Sequence, residues 1–371
     1  MLDVNYLIRI LNLSQKEESL LKLYISTNVT KKEVYNLLDS FDYNIEKEDF
    51  SFNFLLANLF QNNPYIEIPK DIEPRLKGVL RMFQYKNVLL LSGLQRLAVE
   101  LNTQQISVLL LKDSAMKILE SDNLRMMSNV DCAVFRDNFD KTVKTSVRLG
   151  FNLNVVCDNT TEVKRNPMQK IDIHRKIIKS DNDTEYTEKK IFERAKQYNF
   201  SGSNVFVPDT EDMIFLLLNN GYENIIYSKD FYKNISWLLD VVYIVNNNKF
   251  IDWNLVILTA KESKTIAQIK IMFELVNHFL PNTIPESVIS SIIISNQEQN
   301  INYTYTKKHL FINKTQKLKQ QARELIKSKK ISDIFYIINL LSQFLYLKVI
   351  QKVPVIKSLF FDKVANRMFK I

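Results

Sequence analysis

Apolar residues recur at helical spacing over most of the chain. Steps of three and four residues between them predict a helical lead-in over residues 3–57 and a long helix over residues 76–102. After Pro208 the same spacing returns, and it predicts helices over residues 210–218, 231–245, 253–261 and 266–279. The chain is therefore predicted to be mostly helical.

Shorter apolar runs in the middle of the chain predict the strands of a small sheet. Residues 106–111 form one continuous run, and further strands are predicted over 151–156 and 168–173. Residues 129–135 alternate instead, so that Asn129 and Asp131 share one face of a strand and the apolar residues share the other. These strands sit among short helices, which predicts an α+β core.

Prolines place the domain boundaries. A proline-containing loop over residues 62–74 separates a predicted N-terminal helical region, 1–75, from the α/β core, 76–208. The C-terminal helical domain is predicted to cover 209–371. The fold class is accordingly α+β, mostly helical, with a small mixed sheet flanked by helical regions.

Composition and charge narrow the range of partners. Glycine and proline are scarce, at 5 and 8 residues of 371, which favours long helices over a loop-rich β design. A formal charge of +9 suits an anionic partner, but the cations are scattered among nearly as many acids. A basic helical nucleic-acid-binding protein is the alternative, but the sequence contains none of the recognised RNA- or DNA-binding motifs. Nucleic acid is therefore not expected as a partner.

The apolar and basic stretch over residues 345–371 has two interpretations. It could lie on an anionic membrane surface, or it could be a core helix with a basic exposed face, which is the simpler explanation. The sequence shows neither a signal peptide nor an apolar run long enough to span a bilayer, so a cytoplasmic location is expected. Cys132 and Cys157 both fall in predicted strands and are expected to be buried thiols.

Two carboxylates on separate predicted strands are the first candidates for chemistry. Asp131 and Asp172 would suit a Mg²⁺ ion, which proteins hold with one or two carboxylates plus phosphate oxygens of a substrate. His174 shares a strand face with Asp172, and it could act as an acid–base group, orient the carboxylate or serve only as a structural hydrogen-bonding residue.

An ordered set of short motifs resembles the bacterial family of uncharacterised nucleotidyltransferases, within the DNA polymerase β-like superfamily. The resemblance extends over residues 76–285. It rests on Leu111-Lys112 before a short helix, Arg125-x-x-Ser128-Asn129-x-Asp131, Leu149-Gly150-Phe151, Ile171-Asp172-Ile173-His174, Leu238-Leu239-Asp240 and Ile251-Asp252-Trp253.

The resemblance implies a metal-dependent transfer reaction. It implies two metal-binding carboxylates on one strand and a third on another, holding Mg²⁺ and a nucleoside triphosphate, expected to be ATP. The nucleotidyl group would pass to a small-molecule, sugar or peptide acceptor in a bacterial biosynthetic pathway. Asp131 takes the second carboxylate position and Asp172 the third, and Asn129 falls in the place of the first. Lys112, Ser114 and Arg125 would contact the nucleotide.

Two residues depart from the family pattern. Asn129 offers a neutral amide in place of a carboxylate, which removes a full charge from the metal site. Asp113 stands where the family typically has glycine after Lys112, and its charge would repel a phosphate unless it replaces the charge missing at Asn129. These departures support a second hypothesis, in which the cleft is catalytically impaired and the protein is a binding or scaffold partner of a biosynthetic enzyme or a peptide.

Overall fold

A computed structural model describes residues 3–26, 28–120, 124–157, 159–178, 180, 182–228, 231–295 and 298 of the chain. Within these ranges the protein is an α+β molecule in which helices predominate around one seven-stranded mixed sheet, which confirms the predicted fold class. The basic stretch over 345–371 lies outside the described residues, so both of its interpretations remain predictions. The domain boundaries at 75 and 208 also remain predictions.

The helices before the sheet match the predicted helical lead-in. Local capping explains where two of them begin: Ser14 and Glu17 bond reciprocally at the start of the second helix, and Thr30 and Glu33 do so at the start of the third. Pro74 occupies the first turn of the fifth, where its missing N–H costs nothing. The five are α1 (Val4–Leu11), α2 (Gln15–Ile25), α3 (Lys31–Ser40), α4 (Phe50–Asn62) and α5 (Glu73–Thr103).

The sheet contains the four predicted strands and three that the apolar pattern did not indicate. The strands are β1 (Leu109–Leu110), β2 (Val130–Ala133), β3 (Asn152–Val156), β4 (Thr160–Asn166), β5 (Gln169–His174), β6 (Lys196–Phe200) and β7 (Ser203–Val207). Their order across the sheet is β3-β4-β5-β2-β1-β7-β6. The β2–β5 and β1–β7 pairs are parallel and the others are antiparallel, so the sheet is mixed as expected.

Helix α5 covers one face of this sheet, and the opposite face is left for polar residues. Ser92 on α5 accepts a hydrogen bond of 3.0 Å from Gln169 on β5, and Ile171 and Ile173 are fully buried. The side chains between them on β5 therefore point to the other face. Three further helices connect the strands, α6 (Lys112–Leu119), α7 (Phe139–Arg148) and α8 (Glu185–Arg194).

The predicted C-terminal helical series is also present. It comprises α9 (Thr210–Tyr227), α10 (Phe231–Asn247), α11 (Trp253–Glu262), α12 (Ile266–Phe279) and α13 (Glu286–Ser291). Gly221 lets α9 approach α10 closely, because a Cβ atom there would lie 2.5 Å from the indole ring of Trp237. Of the described helices, none combines the length and apolar character needed to cross a membrane.

One cysteine prediction was wrong. Cys132 on β2 is buried as expected, whereas Cys157 is exposed. Cys157 lies just after β3, the edge strand of the sheet, where every residue is exposed. An edge strand with no covering helix leaves the following residue in solvent as well.

Candidate active site

Parallel pairing between β2 and β5 brings the two predicted carboxylates side by side. Asp131 and Asp172 are register partners, so both side chains project from the same face of the sheet. Glu162 on β4 is the partner of Asp172 on its other side. The strand order therefore concentrates three carboxylates on the face that α5 does not cover.

Asp131 is the most strongly bonded of these carboxylates. Its Oδ1 atom accepts hydrogen bonds from Lys112 Nζ at 2.6 Å and His174 Nε2 at 2.8 Å. Burial alone would raise the pKa of Asp131, but Lys112 and His174 outweigh it and hold the pKa well below its usual range. Asp131 is therefore a fixed anion.

His174 is oriented from both sides of its ring. Its Nδ1 atom lies 3.2 Å from the hydroxyl of Thr160 on β4, and the ring is almost fully buried. A proton on Nε2 is donated to Asp131, and Nδ1 accepts from Thr160 when the ring is neutral and donates to Thr160 when the ring is protonated. His174 thus positions Asp131.

Lys112 lines the cavity next to the sheet and has an unusual backbone conformation. Its φ angle is +50°, in the left-handed region, which costs a residue with a side chain about 1–3 kcal/mol and tends to persist at functional sites. Burial lowers the pKa of Lys112, but Asp131, with further contributions from Asp172 and Asp113, raises it above its ordinary value. The ammonium group therefore stays charged beside the carboxylates.

Asn129 bridges the two carboxylates with its amide nitrogen. Its Nδ2 atom donates to Asp172 Oδ2 at 2.7 Å and lies 3.3 Å from Asp131 Oδ2, while its own oxygen accepts from Ser128. In this arrangement Asn129 presents a donor to the site rather than the oxygen ligand expected from the sequence. The partial positive charge of this N–H group offsets part of the repulsion between the two carboxylates, as a bound cation would.

Asp172 retains an oxygen that could bind a cation. Burial, followed by repulsion from Asp131, raises the pKa of Asp172 to about 6. Its Oδ1 atom is buried and makes no hydrogen bond within the described part of the chain. One ligand atom from each of Asp131, Asp172 and His174 lies within 4.8 Å of the others. Two carboxylates, one of which has an oxygen without a hydrogen-bond partner among the described residues, are a donor set that fits a divalent cation.

Arg125 is buried and pairs with Asp113 and Asp240, both of which line the cavity. Arg125 donates to Asp113 Oδ1 from Nε at 3.1 Å and from Nη2 at 2.8 Å, and to Asp240 Oδ1 at 2.5 Å. Glu120 lies 3.6 Å from its Nη1. The guanidinium group is thus occupied by protein carboxylates, and Asp113, which lines the cavity together with Asn129, is paired with it.

Asp240 and Ser114 are also buried and bonded to other residues of the protein. Burial, only partly offset by Arg125, raises the pKa of Asp240. The fully buried hydroxyl of Ser114 accepts a 2.8 Å hydrogen bond from the backbone N–H of Asp131, and so holds β2 in place. Of the three residues predicted to contact the nucleotide, Lys112 lines the cavity, whereas Ser114 and Arg125 lie behind its wall.

A cavity of about 490 Å³ opens over the carboxylates. The sheet face forms its floor, and the helices α9 and α10 form its opposite wall. That wall is polar, and the residues that give it this character are Asn220, Asn224, Lys233 and Ser236. Sequence reasoning missed them. The four-residue spacing of Asn220 and Asn224 would have predicted that the two amides lie on the same face of a helix.

The comparison with family models decides the family. The model described as uncharacterised nucleotidyltransferase matches residues 52–281, which is more than half of the chain. The chain belongs to this family. The match begins in α4 and ends just after α12, so it includes the whole sheet and both walls of the cavity. None of the curated proteins matches the chain.

Membership of the nucleotidyltransferase family supports a general nucleotidyltransferase-like function. It also gives the resemblance read from the sequence an independent basis. The carboxylates at the cavity floor lie within the matched segment, as does the polar wall formed by α9 and α10.

Proposed function

We propose that this protein is a Mg²⁺-dependent nucleotidyltransferase that transfers a nucleotidyl group from a nucleoside triphosphate, ATP in the first instance, to an acceptor bound in the same cavity. One observation carries the proposal. Asp131 and Asp172 are register partners at the cavity floor, and Asp172 keeps a buried oxygen without a hydrogen-bond partner among the described residues.

Asp131 and Asp172 would hold the metal, and His174 would keep Asp131 in the orientation that binding requires. When bound, Mg²⁺ would neutralise charge on the phosphates and polarise the α-phosphate toward attack. Lys112 supplies a further positive charge at the cavity edge, where it can pair with a phosphate oxygen.

The reaction needs little from the protein beyond positioning and charge. A hydroxyl or amine of the acceptor forms a bond to the α-phosphorus while the bond to the bridging oxygen breaks and pyrophosphate leaves. The acceptor proton passes to solvent. The cavity of about 490 Å³ lies within the range of small-molecule sites and is open enough for two ligands to meet.

Asn129 favours one alternative function. Its N–H donor between the two carboxylates takes part of the role of a cation, and Lys112 already neutralises Asp131. A cleft with this charge balance could bind a nucleotide, a peptide or a partner enzyme without catalysing transfer.

Measuring pyrophosphate release distinguishes nucleotidyl transfer from binding without catalysis. Wild type would be incubated with Mg²⁺, each of the four common triphosphates and a panel of sugar, amino and peptide acceptors. We expect turnover with at least one pair, and a loss of about 100-fold or more in Asp172→Asn, because the site loses a metal-binding charge. Asp137→Asn changes an exposed carboxylate outside the cavity and should retain wild-type turnover.

Two results would count against transfer. Equal turnover in wild type and Asp172→Asn would remove the carboxylate pair from the mechanism. Nucleotide binding without turnover for any acceptor, in a protein whose Asn129→Asp variant gains turnover, would establish the alternative.

A further inference from the structure

Two lysines lie side by side on the sheet face that forms the cavity floor. Lys164 on β4 and Lys170 on β5 are register partners in an antiparallel pair, so their side chains project from the same face, two residues along from Glu162 and Asp172. We refer to Lys164 and Lys170 as the lysine cluster.

Within the described part of the chain, no carboxylate forms an ion pair with the lysine cluster, since no Asp or Glu oxygen lies within 4.0 Å of either ammonium group. This is unusual for the site, because the nearby cations Lys112 and Arg125 are both paired. The two ammonium groups therefore lie side by side without a direct ion pair, and the nearest carboxylates along their strands are Glu162 and Asp172.

The arrangement is costly without an anion. Like charges directly opposite each other in an antiparallel pair destabilise a sheet. Lysines placed this way are stabilised when an anion binds between them.

The lysine cluster belongs to the same cavity as the carboxylates. Lys170 lines that cavity together with Asp131 and Asp172. It lies two residues before Asp172 on the same strand, a separation of about 7 Å along the strand axis. A ligand with one group at the carboxylates and an anionic group a few bonds away can reach both positions.

We propose that the lysine cluster is a binding subsite for a phosphate-class dianion carried by a ligand of this cavity. The assignment of that ligand to the transfer reaction rests on the proposed function. Two ligands could carry the dianion: the nucleotide, through its terminal phosphates, or an acceptor that is itself phosphorylated. The chemistry of recognition is the same for both.

Titration of inorganic phosphate and inorganic pyrophosphate tests the subsite without nucleotide or metal. The full chain would be titrated by calorimetry in the presence of a chelator, so that failure of the proposed transfer activity leaves the result unaffected. Wild type should bind at least one of the two anions, and Lys164→Met with Lys170→Met should bind it about tenfold more weakly or worse, as loss of charge-assisted hydrogen bonds predicts.

The exposed Lys189 on α8 provides a matched control. Lys189→Met removes the same charge from a position outside the cavity and should keep wild-type affinity. The double variant should also keep or raise the melting temperature, because it relieves repulsion. Absence of phosphate and pyrophosphate binding by wild type, or equal binding by wild type and the double variant, would overturn the proposal.

Comparison of AMP with ATP then identifies the source of the dianion. If the nucleotide supplies it, the double variant weakens ATP binding and leaves AMP binding unchanged. If the acceptor supplies it, neither nucleotide is affected although binding of inorganic phosphate or pyrophosphate is lost. A double variant with a lower melting temperature and unchanged binding of these anions would show that the lysines are structural, against the proposal.

Discussion

The amide nitrogen of Asn129, the residue just before β2, lies 2.7 Å from the Oδ2 atom of Asp172 on the neighbouring strand β5. This hydrogen bond couples Asn129 to the carboxylate whose Oδ1 atom has no hydrogen-bond partner among the described residues. It stabilises the anionic site without a metal. It also means that any cation at Asp172 must compete with the amide.

Replacement of Asn129 by aspartate should therefore remove the stabilising amide hydrogen bond and make stability depend more strongly on a bound metal. Asn129→Asp places a third carboxylate beside two others, so without metal the melting temperature should fall. With Mg²⁺ or Mn²⁺ the variant should gain more stability than wild type does, because ligands that bind only the folded state stabilise it by mass action. Thermal denaturation with and without metal measures both effects. Equal metal-induced shifts would show that Asn129 does not limit metal binding.

The buried group around Arg125 predicts a pH dependence of stability. The pKa of Asp240 is raised in the folded protein, so the folded state holds a proton that the unfolded chain loses above its ordinary pKa of about 4. The free energy of unfolding should accordingly fall as the pH rises from about 4 through the raised pKa. Chemical denaturation at a series of pH values checks the sign.

Two variants separate Asp240 from other titrating groups. Asp240→Asn cannot titrate and should flatten this part of the profile. Asp113→Asn should lower the pKa of Asp240, because Asp113 contributes to raising it, and should move the fall in stability to lower pH. A wild-type profile that rises over the same range in parallel with Asp240→Asn would contradict the assignment.

The contact between Gly221 and Trp237 predicts a steric effect on the cavity wall. A methyl group at Gly221 would lie 2.5 Å from the indole of Trp237, which is buried and lines the cavity. Overpacking of this kind costs about 1–3 kcal/mol, more than the gain of about 1 kcal/mol that alanine brings to a helix. Gly221→Ala should therefore be less stable than wild type.

Gly78 supplies the matched control, because a Cβ there meets nothing within 4 Å. Gly78→Ala lies in an exposed part of α5 and should be more stable by about 0.5–1 kcal/mol. Denaturant unfolding of both variants measures the difference. A stabilised Gly221→Ala would mean that α9 and α10 are free to separate.

The parts of the site that depend on the alternation of side chains along a strand could be predicted from the sequence. Asn129 and Asp131 were placed on one face by period-two spacing, and the parallel pairing of β2 and β5 brought Asp172 beside them. The group around Arg125 could not be read this way, because Asp240 is 115 residues away in sequence and joins it only through the packing of α10. The ion pair between Asp113 and the buried guanidinium of Arg125 left no signal in the sequence either.

Strands with little apolar alternation were also missed. β6 consists of exposed and half-exposed residues at a sheet edge, and β4 has only Val163 as a buried apolar residue. Such strands are held by their ladder hydrogen bonds, which leave no hydrophobic period in the sequence. The lysine cluster was invisible for the same reason, since Lys164 becomes the partner of Lys170 only once β4 exists.

The central claim is that Asp131 and Asp172 form a metal-dependent nucleotide site, and calorimetric titration of ATP tests it most directly. The titration would be run with Mg²⁺ and again with a chelator, for wild type and for Asp172→Asn. We expect Mg²⁺ to strengthen ATP binding to wild type, and the variant to lose about tenfold or more in affinity only when Mg²⁺ is present. Equal affinities of wild type and Asp172→Asn for ATP in Mg²⁺ would contradict the account.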